Sequence, residues 1–178
     1  VVAEEFGVSL DRVKITATHT GKVPNTGPTA ASSGTDLNGM AARIAAEKIK
    51  ARLVAFACER FQVEPDAVAF QDNGVRIGEE TVSLGQLARE AHMARIQLSA
   101  TGFYATPGIT WDRPSASGQP FFYFAYGAAC SEVTIDTMTG EMRVDRVDIL
   151  HDVGHSLNPA IDIGQIEGGF VQGMGWLT

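Results

Sequence analysis

Apolar residues recur with a helical rhythm through residues 158–175. They are spaced every three or four positions, as Ile163, Ile166 and Phe170 show, which predicts a helix. The same stretch contains five glycines, and each glycine inside a helix costs about 1 kcal/mol relative to alanine. We therefore expect this glycine-rich helix to lie close to a partner, either another element of the protein or a flat ligand.

A second helical pattern runs from about Asp36 to Phe61. Its apolar stripe begins on the side of Leu37 and Ile44, and then drifts to nearly the opposite side at Leu53 and Phe56. A helix that is apolar on two sides is bent or buried between layers. Pro65 marks a point beyond which the helix cannot continue.

Alternating apolar positions predict the strands. They fall at residues 12–17, 67–70, 75–77, 81–84, 96–100, 121–135 and 141–150. Asp72-Asn-Gly74 is typical of a tight hairpin turn between the second and third of these strands. Ser83 and Gln86 form a capping-box pattern that starts a helix reaching about Arg95. Residues 106–120 and 152–159 are predicted to be loops.

The order of these elements favours an α+β fold with mixed or antiparallel strands, because strands and helices do not alternate as βαβ units. We treat residues 1–178 as part of one domain, in which residues 62–95 form a small hairpin-plus-helix insert. Residues 1–6 resemble the tail of a helix, and residues 174–178 stop inside an apolar pattern without a cap. The chain is therefore expected to be a piece of a larger protein.

Composition narrows the functional classes. The formal net charge of −7 disfavours binding to a nucleic-acid backbone, and no apolar run is long enough for a membrane span. Cys58 and Cys130 are too few for a disulfide framework and are expected to be buried, reduced thiols, which fits the cytoplasm. His151 and His155 are four residues apart, but Gly154 between them argues against a shared helical face, so no metal site is predicted.

Small and hydroxyl residues lead directly into the long helix, in the segment 29–36. Amides in the first turn of a helix lack intrahelical partners, and the helix dipole adds partial positive charge there. With hydroxyls from Ser32, Ser33 and Thr35, the segment is suited to hold a phosphate or an oxyanion. The alternative is an ordinary helix cap by Thr35 or Asp36 with nothing bound.

Two glutamines of the glycine-rich helix share one face. Gln165 and Gln172 are seven positions, or two helical turns, apart. A side-chain amide offers donors and an acceptor together, which suits a heterocyclic ligand. The alternative for Gln165 is an exposed glutamine bonded to water, and the residues support Gln172 less well as a ligand.

Five blocks of the sequence together resemble the molybdenum-hydroxylase (xanthine oxidase) family, and within it the molybdenum-binding subunit of bacterial xanthine dehydrogenases. The blocks are Lys22–Gly39, Ala100–Tyr104, Phe124–Val133, Asp148–Gly154 and Asn158–Gly175. They occur in the family's order and extend over essentially all 178 residues. The resemblance implies a fold that is part of the family's molybdopterin-binding domain.

The resemblance also assigns residues to a cofactor site. It implies that cofactor contacts come from Ala30, Ala31, Ser32, Ser33, Thr35 and Gln165. Ala31 would also line the substrate pocket, and Gln165 would hydrogen-bond the pterin. In this family the pterin's own sulfurs hold molybdenum, so no protein side chain, Cys130 included, is expected to be a metal ligand.

By resemblance, the parent protein is a xanthine dehydrogenase of purine catabolism that oxidises hypoxanthine and xanthine. Its cofactors would be molybdenum-molybdopterin in this region and 2Fe-2S clusters and FAD on a partner subunit, with NAD as electron acceptor. The family's general-base glutamate lies in a Gly-Glu-Pro-Pro motif beyond residue 178, so this stretch alone is expected to be inactive. We expect the parent to be an oligomer, and exposed apolar faces could let the isolated piece self-associate.

Three alternatives stay open at this point. The parent could be an aldehyde oxidase-like enzyme or another purine hydroxylase of the same family. It could be a non-catalytic scaffold that keeps the fold for subunit assembly. A free-standing nucleotide-binding module is suggested only by the glycine content, and the chain lacks a strand-linked phosphate-loop motif.

Overall fold

The computed structural model describes residues 1–17, 19, 21 and 32–178. The chain divides into two compact units, unit 1 from Val1 to Pro107 and unit 2 from Gly108 to Thr178. Helices occur together with antiparallel strands, which confirms the predicted α+β class. No helix in the described part of the chain has both the length and the apolar character that a membrane crossing requires.

The described residues of unit 1 form three α-helices and one three-stranded antiparallel sheet in the order β1-β2-β3. Its elements are α1 (Val2–Glu5), α2 (Met40–Phe61), β1 (Val68–Gln71), β2 (Gly74–Ile77), β3 (Glu80–Ser83) and α3 (Leu84–Met93). A π-helical turn, Thr35–Gly39, leads into α2. The predicted long helix is thus present, although its first turn is wider than an α-helical turn.

The core of unit 1 lies where α2, β2 and α3 meet. It consists of Leu53, Ala57, Val75, Ile77, Leu87 and Ala91, all buried. Leu53 belongs to the second apolar stripe of α2, whereas Leu37 of the first stripe is 41% exposed. The predicted hairpin and helix of residues 62–95 therefore supply most of the residues that pack on α2. Their assignment as an insert stays a prediction.

The turn of the β1–β2 hairpin confirms its sequence pattern. Asp72 and Asn73 have φ values of 51° and 62°, the left-handed backbone of a type I′ turn. Asn73 also joins the hairpin to the N-terminal segment. Its side-chain oxygen accepts a hydrogen bond from the Ser9 amide at 2.7 Å, and its own amide donates to the Gly7 carbonyl at 2.8 Å.

The cap of α3 is confirmed in part. The Ser83 hydroxyl accepts a hydrogen bond from the Gln86 amide at 3.1 Å, as a capping box requires. The Gln86 side chain does not complete the box, because it donates instead to Glu90 at 3.1 Å. The helix ends at Met93, slightly before the predicted end at Arg95.

Two predicted strands of unit 1 are wrong. Residues 13–17 follow a short 3-10 turn, Leu10–Arg12, and are not part of any sheet among the described residues. Residues 96–100 are also not a strand, because α2 takes their hydrogen bonds: Arg52 donates to the Gln97 and Ser99 carbonyls at 3.0 and 2.9 Å. An alternating pattern makes a strand only where another strand is adjacent.

Unit 2 consists of two antiparallel strand pairs and one long helix. Its elements are β4 (Thr110–Asp112), β5 (Ser117–Gln119), β6 (Gly127–Ile135), β7 (Met142–His151) and α4 (Pro159–Leu177). The β4–β5 hairpin lies inside the predicted loop 106–120, so that prediction was wrong there. The predicted strand 121–135 is formed only from Gly127 onward, and a bulge at Glu132/Val133 interrupts its pairing with β7.

No residue of unit 2, which is described throughout, is buried. Large side chains such as Phe124, Tyr126 and Trp176 are 65%, 73% and 86% exposed. The expected burial of Cys130 on β6 fails for this reason, because Cys130 is exposed; Cys58, on α2 of unit 1, is half-buried. The strand pair and α4 therefore present apolar surface that is not packed within this unit.

Candidate functional site

The start of the long helix carries the described part of the first predicted site. Ser32 is exposed and has a φ of 56°, a left-handed backbone that sets the chain's entry into the helix. The Ser33 carbonyl accepts a hydrogen bond from the Leu37 amide at 3.0 Å. Ala30 and Ala31 lie outside the described residues.

Gly34 stands directly before the π-helical turn, with helical backbone angles of φ −61° and ψ −46°. Thr35 and Asp36, the residues of the predicted ordinary cap, lie inside the turn. A glycine carries no side chain that would stand between a ligand and the first-turn amides, and π-helical turns occur often at functional sites.

Helix α4 of unit 2 carries the second predicted site. Asn158 caps it, with its side-chain oxygen accepting a hydrogen bond from the Ile161 amide at 3.4 Å, and Pro159 occupies the first helical position. Asp162 lies in the first turn, where the helix dipole favours a negative charge. Gln165 follows one turn later and is exposed.

The face of α4 that carries Gln165 is open. By helical geometry, Gly168 and Gly169 lie between Gln165 and Gln172 on this face. A β-carbon built on either glycine would meet no atom within 4 Å. Of the two partners expected for the glycines, another element of unit 2 is thus not packed against them. A flat ligand stays the other expectation.

A groove of about 420 Å³ separates β7 from α4 within unit 2. Its lining combines apolar residues with titratable ones, namely Val147, Ile149, His151, Val153, Ser156, Pro159, Asp162, Ile163, Ile166 and Glu167. The sequence pattern does not predict this groove. The apolar spacing of β7 and α4 can be recognised in the sequence. Whether these two apolar surfaces face each other depends on the path of the loop between them, which that spacing does not specify.

The loop from β7 to α4 is held by its own backbone and side chains. The Asp152 amide donates to the Tyr126 carbonyl at 2.8 Å, and the Asp152 carboxylate accepts from the Gly154 amide at 2.8 Å. The Asp152 carboxylate thus helps to fix its own loop. His151 and His155 belong to no cluster of His, Cys, Asp and Glu able to hold a metal ion among the described residues.

Two carboxyl groups have shifted pKa values, and both lie outside the predicted site. The Ser9 hydroxyl lowers the pKa of Asp11 by hydrogen bonding. The Met138 and Thr139 amides lower the pKa of Asp136 in the β6–β7 turn. Hydrogen bonds to the charged form explain both directions, and each carboxyl is an exposed turn residue rather than a catalytic acid or base.

Comparisons with known proteins match the whole chain to one family. The molybdopterin cofactor-binding domain family is matched over residues 1–178. A xanthine dehydrogenase of Oryza sativa subsp. japonica is 47% identical over 176 residues, and one of Dictyostelium discoideum is 46% identical over 181 residues. The alignments cover 99% and 100% of this chain but only 12% of each relative.

Solved structures with the same fold include CO dehydrogenases. The Cu,Mo-CO dehydrogenase in its carbon monoxide reduced state superposes with a TM-score of 0.75 at 25% identity, covering 94% of this chain and 20% of that one. The reconstituted CO dehydrogenase from Oligotropha carboxidovorans gives a TM-score of 0.76 at 25% identity, with the same coverage. The fold is thus shared beyond the proteins named xanthine dehydrogenase.

Proposed function

Since this chain belongs to the molybdopterin cofactor-binding domain family, we propose that it binds and orients the pterin of a molybdenum cofactor in a xanthine dehydrogenase. The observation that carries the proposal is the face of α4, where Gln165 stands beside two glycines whose β-carbon positions are empty to 4 Å. The chain spans about 12% of the length of the relatives named above, so the activity proposed is that of a whole protein.

The donor set of α4 suits a pterin. The ring presents hydrogen-bond donors and acceptors along its edge, and a glutamine amide offers both kinds of group. Gly168 and Gly169 remove side chains from the surface next to Gln165, so a planar ring can approach the helix backbone. Gln165 would hold the pterin edge by direct hydrogen bonds.

The helix start in unit 1 supplies hydroxyl and backbone-amide donors for the cofactor. Hydroxyls of Ser32, Ser33 and Thr35 can donate to phosphate or pterin oxygens, and Gly34 carries no side chain that would block an anion from the helix amides. Ala30 and Ala31 are proposed to contact the molybdenum centre through their backbone, and Ala31 to leave space for substrate. When bound, the cofactor supplies the redox chemistry, while these residues bind and orient it.

Identity levels support a proposal for the substrate class. The relatives named xanthine dehydrogenase are 42–47% identical, whereas the CO dehydrogenases are 25% identical. We therefore assign hypoxanthine and xanthine as substrates of the whole protein, in purine catabolism in the cytoplasm. Electrons would leave through 2Fe-2S clusters and FAD on a partner subunit to NAD. The general-base glutamate is assigned to a part of the protein other than residues 1–178. The whole protein is proposed to be an oligomer.

The substitution Gln165→Leu in the whole protein tests the cofactor assignment. Leucine keeps the size of the side chain and removes its hydrogen bonds, so we expect molybdenum and pterin per chain to fall several-fold. Gln119→Leu, on β5, is the matched control and is expected to keep both. Molybdenum would be measured by elemental analysis, and pterin by fluorescence after release.

Unchanged molybdenum content and activity in the Gln165→Leu protein would remove the basis of the proposal.

Comparing turnover of xanthine with turnover of aldehydes tests the substrate class separately. Faster turnover of aldehydes would identify an aldehyde oxidase-like enzyme while leaving the cofactor assignment intact.

A further inference from the structure

A side-chain link ties the loop before α4 to the first turn of that helix. The Ser156 hydroxyl donates a hydrogen bond to the Asp162 carboxylate, and both residues are half-buried. The bond closes a short loop around the Asn158 cap, whose backbone carbonyl accepts from the Ile161 and Asp162 amides at 3.0 and 3.1 Å. Loop, cap and first turn therefore form one hydrogen-bonded structure.

The same loop is attached to the strand pair at its other end. The Asp152 amide donates to the Tyr126 carbonyl at 2.8 Å, next to the end of the β6–β7 ladder. Within unit 2, neither strand pair packs broadly against α4, because the groove lined by β7 and α4 residues keeps them apart. The orientation of α4 in this unit is therefore set mainly through the loop, and the link from Ser156 to Asp162, together with the Asn158 cap, is the point at which the loop fixes the first turn.

Gln165 lies directly beyond that fixed point. It is three residues after Asp162, and residues three apart are neighbours on a helix surface. Each residue advances a helix by about 1.5 Å and turns it by about 100°, so a small rotation of the first turn displaces the Gln165 amide from a ligand edge. Hydrogen bonds to a ligand depend steeply on distance and angle.

We propose that Ser156 and Asp162 are positioning residues that fix the orientation of Gln165 for cofactor binding. This inference rests on the proposed function of Gln165. Ser156 and Asp162 act through the helix and do not contact the ligand. Removing the link should leave α4 helical, because the Asn158 cap is independent of it, but should loosen the alignment of Gln165.

Cofactor retention in the whole protein tests the proposal. The molybdenum remaining per folded chain would be followed during dialysis. Loss should be about fivefold to tenfold faster in Ser156→Ala, as expected when one hydrogen bond of typical net strength is removed. Ser156→Thr keeps the hydroxyl and should behave as the unmodified protein does. Ser115→Ala is the matched control, since the Ser115 hydroxyl also donates to a carboxylate, that of Asp112, on the separate β4–β5 hairpin.

A double-mutant cycle separates positioning from general stabilisation. Adding Ser156→Ala to Gln165→Leu should cause little further loss, because the residue being positioned is already gone. An equal effect of Ser156→Ala in both backgrounds would overturn the positioning role, and so would unchanged retention in Ser156→Ala when Gln165→Leu alone loses cofactor. If Gln165→Leu itself retains cofactor normally, the proposed function of Gln165 fails, and this inference fails with it.

Should Ser156→Ala fail to fold, Asp162→Asn and Asp162→Ala provide the same test. The asparagine oxygen can still accept the Ser156 proton, whereas alanine cannot. Faster loss in Asp162→Ala than in Asp162→Asn supports the link, and equal loss in the two variants contradicts it.

Discussion

Gly102 lies against α2 so closely that a β-carbon built on it would stand 1.8 Å from the Ala41 carbonyl oxygen. The extended segment that carries Gly102 is held along the helix by Lys48, which donates to the Thr101 carbonyl at 3.0 Å, and by Arg52. Backbone meets backbone at this point, so no side-chain rearrangement can make room for an added atom.

Gly102→Ala is therefore expected to destabilise unit 1. The segment must move away from α2, and overpacking of this kind costs typically about 1–3 kcal/mol in the free energy of unfolding. Gly85 in α3 provides the control, because a β-carbon there meets nothing within 4 Å; Gly85→Ala should instead stabilise by about 0.5–1 kcal/mol. Chemical denaturation of both variants measures the difference, and equal stabilities would contradict the close approach.

A second prediction concerns the stability of the β1–β2 hairpin turn and its residue Asn73. Alanine at this position must hold a left-handed backbone, and it also loses the hydrogen bond from the Ser9 amide at 2.7 Å. The two losses together should lower the free energy of unfolding by about 2–3 kcal/mol. Asn73→Gly keeps the backbone conformation but not the bond, so its loss should be smaller. If glycine and alanine cost the same, backbone strain does not contribute.

Local sequence rules predicted the elements whose determinants are local. The hairpin at Asp72–Gly74, the Ser83 cap and the glycine-rich helix were recognised because turn residues, capping residues and apolar spacing each act within a few positions. Residues 13–17 and 96–100 carry a strand pattern of the same quality, yet they lack a neighbouring strand. The predicted burial of Cys130 failed because burial depends on what covers β6, which the sequence of β6 does not encode.

In the candidate site, too, the features with local determinants were predicted and those that depend on the path of the chain were not. Gln165 was identified from its helical position and from a family resemblance, and the structure places it on an exposed helix face. The link from Ser156 to Asp162 was missed, because a serine six residues before an aspartate has no distinctive pattern. Its presence depends on the path of the loop 152–158, which the Asn158 cap and the Asp152 turn determine together. Ala30 and Ala31 stay predictions, since they lie outside the described residues.

The β6–β7 turn makes a prediction about acid pH. The Met138 and Thr139 amides donate to the Asp136 carboxylate and lower its pKa from the ordinary value of 3.8. A lowered folded-state pKa means that the stabilisation is present above the unfolded-state pKa and is lost as pH falls through the folded-state value. The turn should therefore weaken only at the acid end, below pH 3.8.

An NMR titration of the Asp136 carboxyl carbon checks that the folded-state pKa lies below the ordinary value. Asp136→Asn removes the titrating group and should abolish the acid-dependent change in the Met138 and Thr139 amide shifts. A midpoint at or above 3.8 would contradict the hydrogen-bond explanation.

The glycines of α4 make the prediction that bears most directly on function. Gly168→Ala with Gly169→Ala adds two β-carbons that meet nothing within 4 Å, so the cofactor-free protein should gain about 1 kcal/mol of helix stability per substitution. The same β-carbons would occupy the surface beside Gln165 that a planar ring needs, so cofactor content should fall in the whole protein. Hydrogen exchange of the α4 amides and molybdenum per chain would measure the two effects. Gly85→Ala in α3 of unit 1 is the control, since Gly85 is equally open but lies on a different helix; it should stabilise that helix and leave the cofactor in place. A double variant that keeps its full molybdenum content would show that the ring does not approach α4 at these glycines.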